Sequence, residues 1–130
     1  MPQFSKKSLA KLATCDPRLQ MICHEAIKTI DFTVIYGHRG KEEQDAAFKA
    51  KRSMLRYPNS KHNSMPSMAV DIAPVKYAGK RVWIDWADIG TFRLLANLML
   101  EIAREQKTDI IWGGSWQSLK DYVHFEIREN

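Results

Sequence analysis

Apolar residues recur at three- and four-residue steps in two stretches of the chain, and each stretch predicts an amphipathic helix. The first stretch follows Asp16 and Pro17, an N-cap acid and a first-turn proline, and its helix should end near Thr29. The second predicts the longest helix, capped by Asp85 or Asp88. Their buried stripes comprise Leu19, Ile22, Cys23, Ala26, Ile27 and Ile30 in the first, and Phe92, Leu95, Ala96, Met99, Ile102 and Ala103 in the second.

Shorter patterns predict the remaining elements. Two more helices are expected at residues 5–14, capped by Ser5, and at residues 41–51. Runs of β-branched and aromatic residues predict strands at residues 32–36, 68–73, 110–112 and 122–127, and the second of these should be half-buried. Residues 52–68 have no sustained period and predict a long irregular loop, a kind of segment that is often functional. Helices followed by clustered strands favour an α+β fold with a small antiparallel sheet packed against helices.

Composition narrows the class of protein. The chain has 130 residues, which fits a single domain spanning residues 1–130. Only two cysteines are present, without a C-x-x-C spacing, so a disulfide scaffold is disfavoured. Neither a signal peptide nor a membrane-spanning run is evident, which predicts a protein made in the cytoplasm without stable membrane insertion. The net charge of +5 favours an anionic partner such as nucleic acid, a membrane surface or a cell-wall polymer, and the scattered basic residues argue against a nucleic-acid patch.

One acidic residue stands in an otherwise apolar strand. Asp71 needs a partner there, because an unpaired buried carboxylate is costly, and either a metal ion or a nearby Arg or Lys would serve. His62 lies nine residues earlier in the irregular loop, and His124 lies in the last strand, where period-two alternation places it on the same face as Glu126. His62, Asp71 and His124 would leave one position of a zinc ion open for water, as catalytic zinc sites do, although this spacing alone only suggests a metal.

The other two histidines carry less information. His24 falls on the solvent side of its predicted helix, so a surface role is expected. His38 follows a strand and a glycine and would be able to approach a site.

Several ordered motifs resemble one peptidase family. Residues 60–62 (SKH), 66–72 (PSMAVDI) and 121–126 (DYVHFE) resemble the S-x-H, A-x-D and (D/E)-x-x-H motifs of the zinc D-Ala-D-Ala carboxypeptidases and L-alanyl-D-glutamate peptidases. Residues 31–44 resemble the family's strand followed by G-x-R-x-x-x-x-Q. Residues 84–86 (IDW) and 112–116 (WGGSW) are similar to the phage endolysin branch.

The resemblance implies a role for each matching residue. It implies that His62, Asp71 and His124 hold Zn²⁺, that Asp121 is the general base, and that Arg39 stabilises negative charge developing on the scissile carbonyl. Asp121 has the opposite strand parity to His124, so it should lie in the turn that enters the last strand.

The sequence extends these implied roles and also departs from the family pattern. Ser60 would hydrogen-bond near the metal or substrate, and Glu126 would orient His124. His62 and Asp71 are nine residues apart where many carboxypeptidases have seven, Gly40 replaces a common serine, and Ser115 occupies a place where Asp is commoner.

The function implied by the resemblance is zinc-dependent hydrolysis of the peptidoglycan stem peptide, at the L-alanyl-D-glutamate bond, by a phage endolysin in host cell lysis. The expected partner is the stem peptide, with no nucleic acid, and the expected state is a monomer. The protein would remain in the host cytoplasm until the membrane is permeabilised. The alternatives are a D-Ala-D-Ala carboxypeptidase, a non-catalytic zinc-binding relative, and a small basic nucleic-acid-binding domain using Trp112 and Trp116.

Overall fold

The computed structural model describes residues 2–129, and this part of the chain contains four α-helices and six β-strands. The helices are α1 (Lys6–Leu12), α2 (Pro17–Ala26), α3 (Lys41–Lys49) and α4 (Ile89–Glu105). The strands are β1 (Phe32–Tyr36), β2 (Ala69–Pro74), β3 (Lys76–Ala78), β4 (Arg81–Trp83), β5 (Ile110–Trp112) and β6 (His124–Ile127). Among residues 2–129, no helix combines the length and the apolar character that crossing a bilayer requires.

The main sheet has the strand order β1-β2-β6-β5 with antiparallel neighbours throughout, and β3 and β4 form a separate hairpin. Gly79 makes the hairpin turn with a positive φ of 61°, a conformation that glycine adopts at little cost. The predicted α+β class with a small antiparallel sheet is therefore confirmed.

Side-chain alternation gives the sheet two different faces. Val70 and Ile72 of β2, with Phe125 and Ile127 of β6, belong to the apolar core that α2 and α4 complete. The alternate residues point the other way, and Asp71 lies directly opposite His124 in the register of β2 and β6. The chemistry predicted from the sequence therefore lies on the sheet face that is turned away from this core.

The helix starts follow the predicted capping chemistry. The side chains of Ser5 and Asp16 accept hydrogen bonds from the backbone at the starts of α1 and α2. Asp88, and not Asp85, caps α4 through the backbone N–H of Thr91. All six residues of the predicted apolar stripe of α4 are buried.

The structure corrects three of the predicted elements. The strand predicted at residues 68–73 is not half-buried, because all six residues of β2 are buried between neighbouring strands, with the apolar core on one face and the residue 52–68 loop on the other. The helix predicted to end near Thr29 ends at Ala26, and residues 27–29 form turns. The last strand begins at His124, since residues 122 and 123 belong to a turn.

Candidate metal centre and active-site groove

His62, Asp71 and His124 converge on one point of the sheet face opposite the core. One ligand atom from each lies within 4.8 Å of the others, and all three residues are buried. Asp71 Oδ1 is 3.1 Å from His62 Nε2 and 3.1 Å from His124 Nδ1. The structure thus brings together the three residues that the sequence motifs single out.

Each of the three side chains is fixed by a different segment. Asp71 and His124 face each other across β2 and β6, so the strand register determines their separation. His62 lies in a short 3-10 helix, Lys61–Asn63, whose N-cap is Ser60. The backbone N–H of Arg39 donates to the His62 carbonyl at 2.8 Å, and this bond ties the irregular loop to the segment that follows β1.

The outer nitrogens of both imidazoles are held by acceptors. His62 Nδ1 donates to the Gly37 carbonyl at 2.8 Å, and His124 Nε2 donates to Glu126 Oε1 at 2.8 Å. In neutral imidazoles these bonds leave the lone pairs of His62 Nε2 and His124 Nδ1 directed at the Asp71 carboxylate. Lone pairs that face a carboxylate repel it unless a positive charge lies among them.

This donor set fits a zinc ion. Two donors bound to one zinc ion at about 2.0–2.2 Å lie about 3.3–3.6 Å apart in a tetrahedral arrangement. The two observed spacings to Asp71 Oδ1, 3.1 Å each, are slightly shorter, and all three donor atoms lie within 4.8 Å of one another. Metal-binding histidines commonly donate their second N–H to a carboxylate or a backbone carbonyl, and both acceptors are present here. The residues therefore suit a metal with nitrogen and oxygen ligands.

The electrostatics of the centre also favour positive charge. Burial opposes ionisation of Asp71, but the adjacent imidazoles of His62 and His124 outweigh it and hold the pKa of Asp71 below its ordinary value. When a proton supplies that positive charge, both nitrogens of His124 donate: burial opposes the charge, but the hydrogen bonds to Asp71 and Glu126 raise the pKa of His124 to about 9. The hydrogen bond from His124 lowers the pKa of Glu126.

Arg39 is buried beside the centre and forms an ion pair with Asp71. Its Nη2 lies 3.5 Å from Asp71 Oδ2, so Asp71 meets an arginine as well as the two histidines. Its Nη1 donates to Gln44 Oε1 at 3.0 Å, and its guanidinium carbon lies 4.7 Å from the centre of the Tyr36 ring. Within residues 2–129, the buried Nε of Arg39 has no hydrogen-bond partner.

Asp121 lies in the turn before β6, where strand parity predicted it. Its backbone N–H donates to the Gly113 carbonyl at 3.0 Å. A Cβ at Gly113 would lie 2.5 Å from the Asp121 carbonyl oxygen and 3.2 Å from His124 Cβ, so only glycine permits this close approach. Burial, with a contribution from the negative charge of Asp71, raises the pKa of the Asp121 carboxyl. A carboxyl of this kind is suited to holding a proton.

A groove of about 710 Å³ connects these residues. Its walls are residues 51–55 on one side and 116–121 on the other, and Arg39, Asp121 and the three converging residues all line it. Sequence reasoning did not assign a role to the first wall or to Gln44, which links Arg39 to that wall through hydrogen bonds to Ser53 Oγ and the Leu55 carbonyl. The only sequence signal for Gln44 is its place in the G-x-R-x-x-x-x-Q stretch.

The remaining candidates have local roles. His24 is exposed and packs edge-on against Phe4. His38 bonds to the Ser64 carbonyl at 2.9 Å and is not part of the converging group. Ser60 caps the 3-10 helix that carries His62, and the Ser115 hydroxyl donates to the Trp112 carbonyl at 2.7 Å.

The His-Asp-His group in the groove, flanked by a carboxylate and an arginine, has the three-ligand composition of catalytic sites in hydrolases that use one metal ion. The family model for phage L-alanyl-D-glutamate peptidases matches residues 1–129, and the chain belongs to that family.

Three relatives illustrate the range of similarity. The L-alanyl-D-glutamate peptidase of Escherichia phage T5 is 30% identical over 128 residues, which cover 97% of this chain and 89% of the relative. The peptidoglycan L-alanyl-D-glutamate endopeptidase CwlK of Bacillus subtilis (strain 168) is 33% identical over 113 residues, covering 81% of this chain and 65% of CwlK. The crystal structure of the Serratia marcescens L-Ala D-Glu endopeptidase ChiX superposes with a TM-score of 0.80 at 24% identity, covering 97% and 90% of the two chains, and shows the same fold.

Proposed function

We propose that this protein is a zinc-dependent peptidase that hydrolyses the L-alanyl-D-glutamate bond of peptidoglycan stem peptides. The observation that carries the proposal is the convergence of His62 Nε2, Asp71 Oδ1 and His124 Nδ1 in the groove that Asp121 and Arg39 also line. Membership of the peptidase family and the names of the T5 and CwlK relatives supply the bond.

His62, Asp71 and His124 would hold the zinc ion. When bound, such an ion polarises the scissile carbonyl and lowers the pKa of water from 15.7 to near 7. Gly37 and Glu126 fix the orientation of the two imidazoles through the outer hydrogen bonds.

Asp121 and Arg39 would perform the remaining chemistry. Asp121 acts as the general base that takes a proton from the attacking water and then delivers it to the nitrogen of the departing amine. Its raised pKa supports this role, because the carboxyl must keep the proton between the two steps. Arg39 stabilises the negative charge that develops on the carbonyl oxygen, and its side chain lines the groove beside Asp71.

The biological setting follows from the same family. We propose that the protein is a phage endolysin, a monomer with one catalytic domain, that reaches the peptidoglycan of its host after the membrane has been permeabilised. The substrate is anionic, and the net charge of +5 suits it. Binding of a nucleic acid would not account for the buried His-Asp-His group.

The test is digestion of purified peptidoglycan followed by mass spectrometry of the fragments. We expect muramyl fragments that end in L-alanine and free peptides that begin with D-glutamate. The variant His124→Ala, which removes one ligand, serves as the inactive control. Release of D-alanine alone would instead identify a D-Ala-D-Ala carboxypeptidase, and no release by the zinc-loaded protein would contradict a peptidase.

A further inference from the structure

The groove carries more basic charge than its own acids balance. Four basic side chains line it without a carboxylate within 4.0 Å among residues 2–129, namely Lys51, Arg52, Lys61 and Lys120. Of the three acids in the lining, Asp71 and Glu126 are already engaged by the histidines. An unbalanced cluster of cations in a concave site attracts an anionic ligand.

Three of the four cations have side-chain hydrogen bonds, and these bonds differ. The Lys61 ammonium donates to the Ile127 carbonyl at 3.3 Å, and the Lys120 ammonium donates to the Trp116 carbonyl at 2.8 Å. Both lysines are thus turned toward the backbone. Against the rest of residues 2–129, the guanidinium of Arg52 is anchored through one nitrogen, since its Nη1 donates to the Tyr36 hydroxyl at 3.0 Å. An arginine fixed in this way keeps further N–H groups for a planar anion.

The side chain of Tyr36 contacts two guanidinium groups, those of Arg52 and Arg39. Its hydroxyl holds Arg52, and its ring lies 4.7 Å from the guanidinium carbon of Arg39. Arg39 in turn lies against Asp71 in the metal centre. Arg52 is therefore linked to the centre through Tyr36 and Arg39, and it lines the same groove as the three converging residues.

We propose that Arg52 binds the free carboxylate of the substrate glutamate whose amine leaves in the reaction. This inference rests on the proposed function and adds a specificity-determining residue to it. A glutamyl residue that continues the chain through one carboxyl group retains the other, and a carboxylate accepts two parallel hydrogen bonds from a guanidinium. Tyr36 positions Arg52 and so reduces the ordering that binding requires.

The test compares two synthetic stem peptides that differ only in the glutamate carboxyl group, which is free in one and a carboxamide in the other. The wild-type protein should cleave the free acid with a kcat/KM about ten-fold higher, as expected for a charge-assisted hydrogen bond. In Arg52→Gln this ratio should fall toward one. Tyr36→Phe, which removes the hydroxyl and keeps the ring beneath Arg39, should reduce the ratio partly.

Two control variants separate specific recognition from overall charge. Arg93→Gln removes one positive charge from the exposed surface of α4, and Lys51→Gln removes one from the groove beside Arg52. Both variants should keep the wild-type ratio of kcat/KM for the free-acid peptide to kcat/KM for the carboxamide peptide. A ratio that survives in Arg52→Gln, or that is lost in Lys51→Gln instead, overturns the assignment while the proposed function stands. Failure of the zinc-loaded wild type to cleave either peptide would overturn the proposed function and this inference together.

Discussion

At the scale of single residues, one carboxylate oxygen organises the centre. Asp71 Oδ1 is 3.1 Å from a nitrogen of each imidazole, while Oδ2 faces Arg39. The strand pattern predicted that Asp71 needs a partner, which would be either a metal ion or a basic side chain. The structure places Arg39 at Oδ2 and the two imidazoles at Oδ1, so a basic side chain is one partner and Oδ1 lies in a group that could hold a metal ion.

Glu126→Gln tests the outer hydrogen bond to His124. The substitution keeps the size of the side chain and removes the charge that holds His124 Nε2 at 2.8 Å. We expect zinc affinity to fall by about 10–100-fold, the usual effect of losing such a partner. Competition with a chromophoric chelator measures the affinity, and Glu105→Gln on the exposed surface of α4 is the matched control. Equal affinities in the two variants would exclude Glu126 from this role.

Asp121→Asn tests the general base. The amide fills the same space but cannot take a proton, so turnover should fall by about two to four orders of magnitude. Zinc binding should be retained, because Asp121 is not one of the three converging residues. Steady-state kinetics on a stem peptide and metal analysis of the same sample provide the measurement, with the exposed Asp109→Asn as control. Full activity in Asp121→Asn would remove Asp121 from the mechanism.

At the scale of elements, local chemistry explains what the sequence predicted well. Strands β1 and β5 agree with the predicted residues, and Ser5, Asp16 and Asp88 cap helices as expected, because these features depend on neighbours in the chain. Strands β3 and β4 were not predicted, since three-residue strands are too short to show a period.

Non-local bonds explain what the sequence did not predict. The loop at residues 52–68 is ordered by bonds such as Arg39 N–H to His62 and Asp16 N–H to Ser67. No local pattern encodes such partners. The same holds for Gln44 and Arg52, whose roles depend on contacts with distant segments. The strand pattern alone only suggested a metal at His62, Asp71 and His124, and the assignment of all three as ligands rested on the resemblance of their motifs to a family.

The cap of α4 gives a prediction about pH and stability. Hydrogen bonds from Thr91 and then Lys76 lower the pKa of Asp88 to about 2, from 3.8. Because the folded pKa is the lower one, this stabilisation is fully present above pH 4 and is lost as the pH falls toward 2. Asp88→Ala should therefore unfold at a lower temperature than wild type at pH 7, and the difference should shrink between pH 4 and pH 2.

Asp88→Asn separates the charge from the cap, because asparagine caps helices about as well as aspartate. It should unfold closer to wild type than Asp88→Ala at pH 7. Thermal denaturation followed by circular dichroism provides both comparisons. A difference between wild type and Asp88→Ala that is constant down to pH 2 would contradict the assigned pKa shift.

At the scale of the whole molecule, the proposed metal joins segments that are far apart in the chain. His62 comes from the irregular loop, and Asp71 and His124 come from two neighbouring strands. A ligand that binds only the folded state stabilises it by about 2.7 kcal/mol at a concentration 100 times its dissociation constant. Zinc should thus act on the stability of the entire fold as well as on activity.

Removal of the metal tests this coupling. Treatment with EDTA should abolish peptidase activity and lower the unfolding temperature by on the order of 10 °C, and excess zinc should restore both. His124→Ala should show no response of its unfolding temperature to zinc. Differential scanning calorimetry distinguishes the cases, and an identical transition in the zinc-loaded and EDTA-treated protein would contradict a metal held by these residues.

Gly37 connects the amino-terminal end of the molecule to the centre. Its carbonyl orients His62, while its α-carbon packs so closely on the Lys11 carbonyl and the Thr14 hydroxyl that no side chain fits there. Substitutions that shift the end of α1 will therefore displace a histidine about fifty residues further along the chain. Helix α1, which does not line the groove, thus helps to fix the position of His62, and engineered fusions at the amino-terminal end have to preserve that packing.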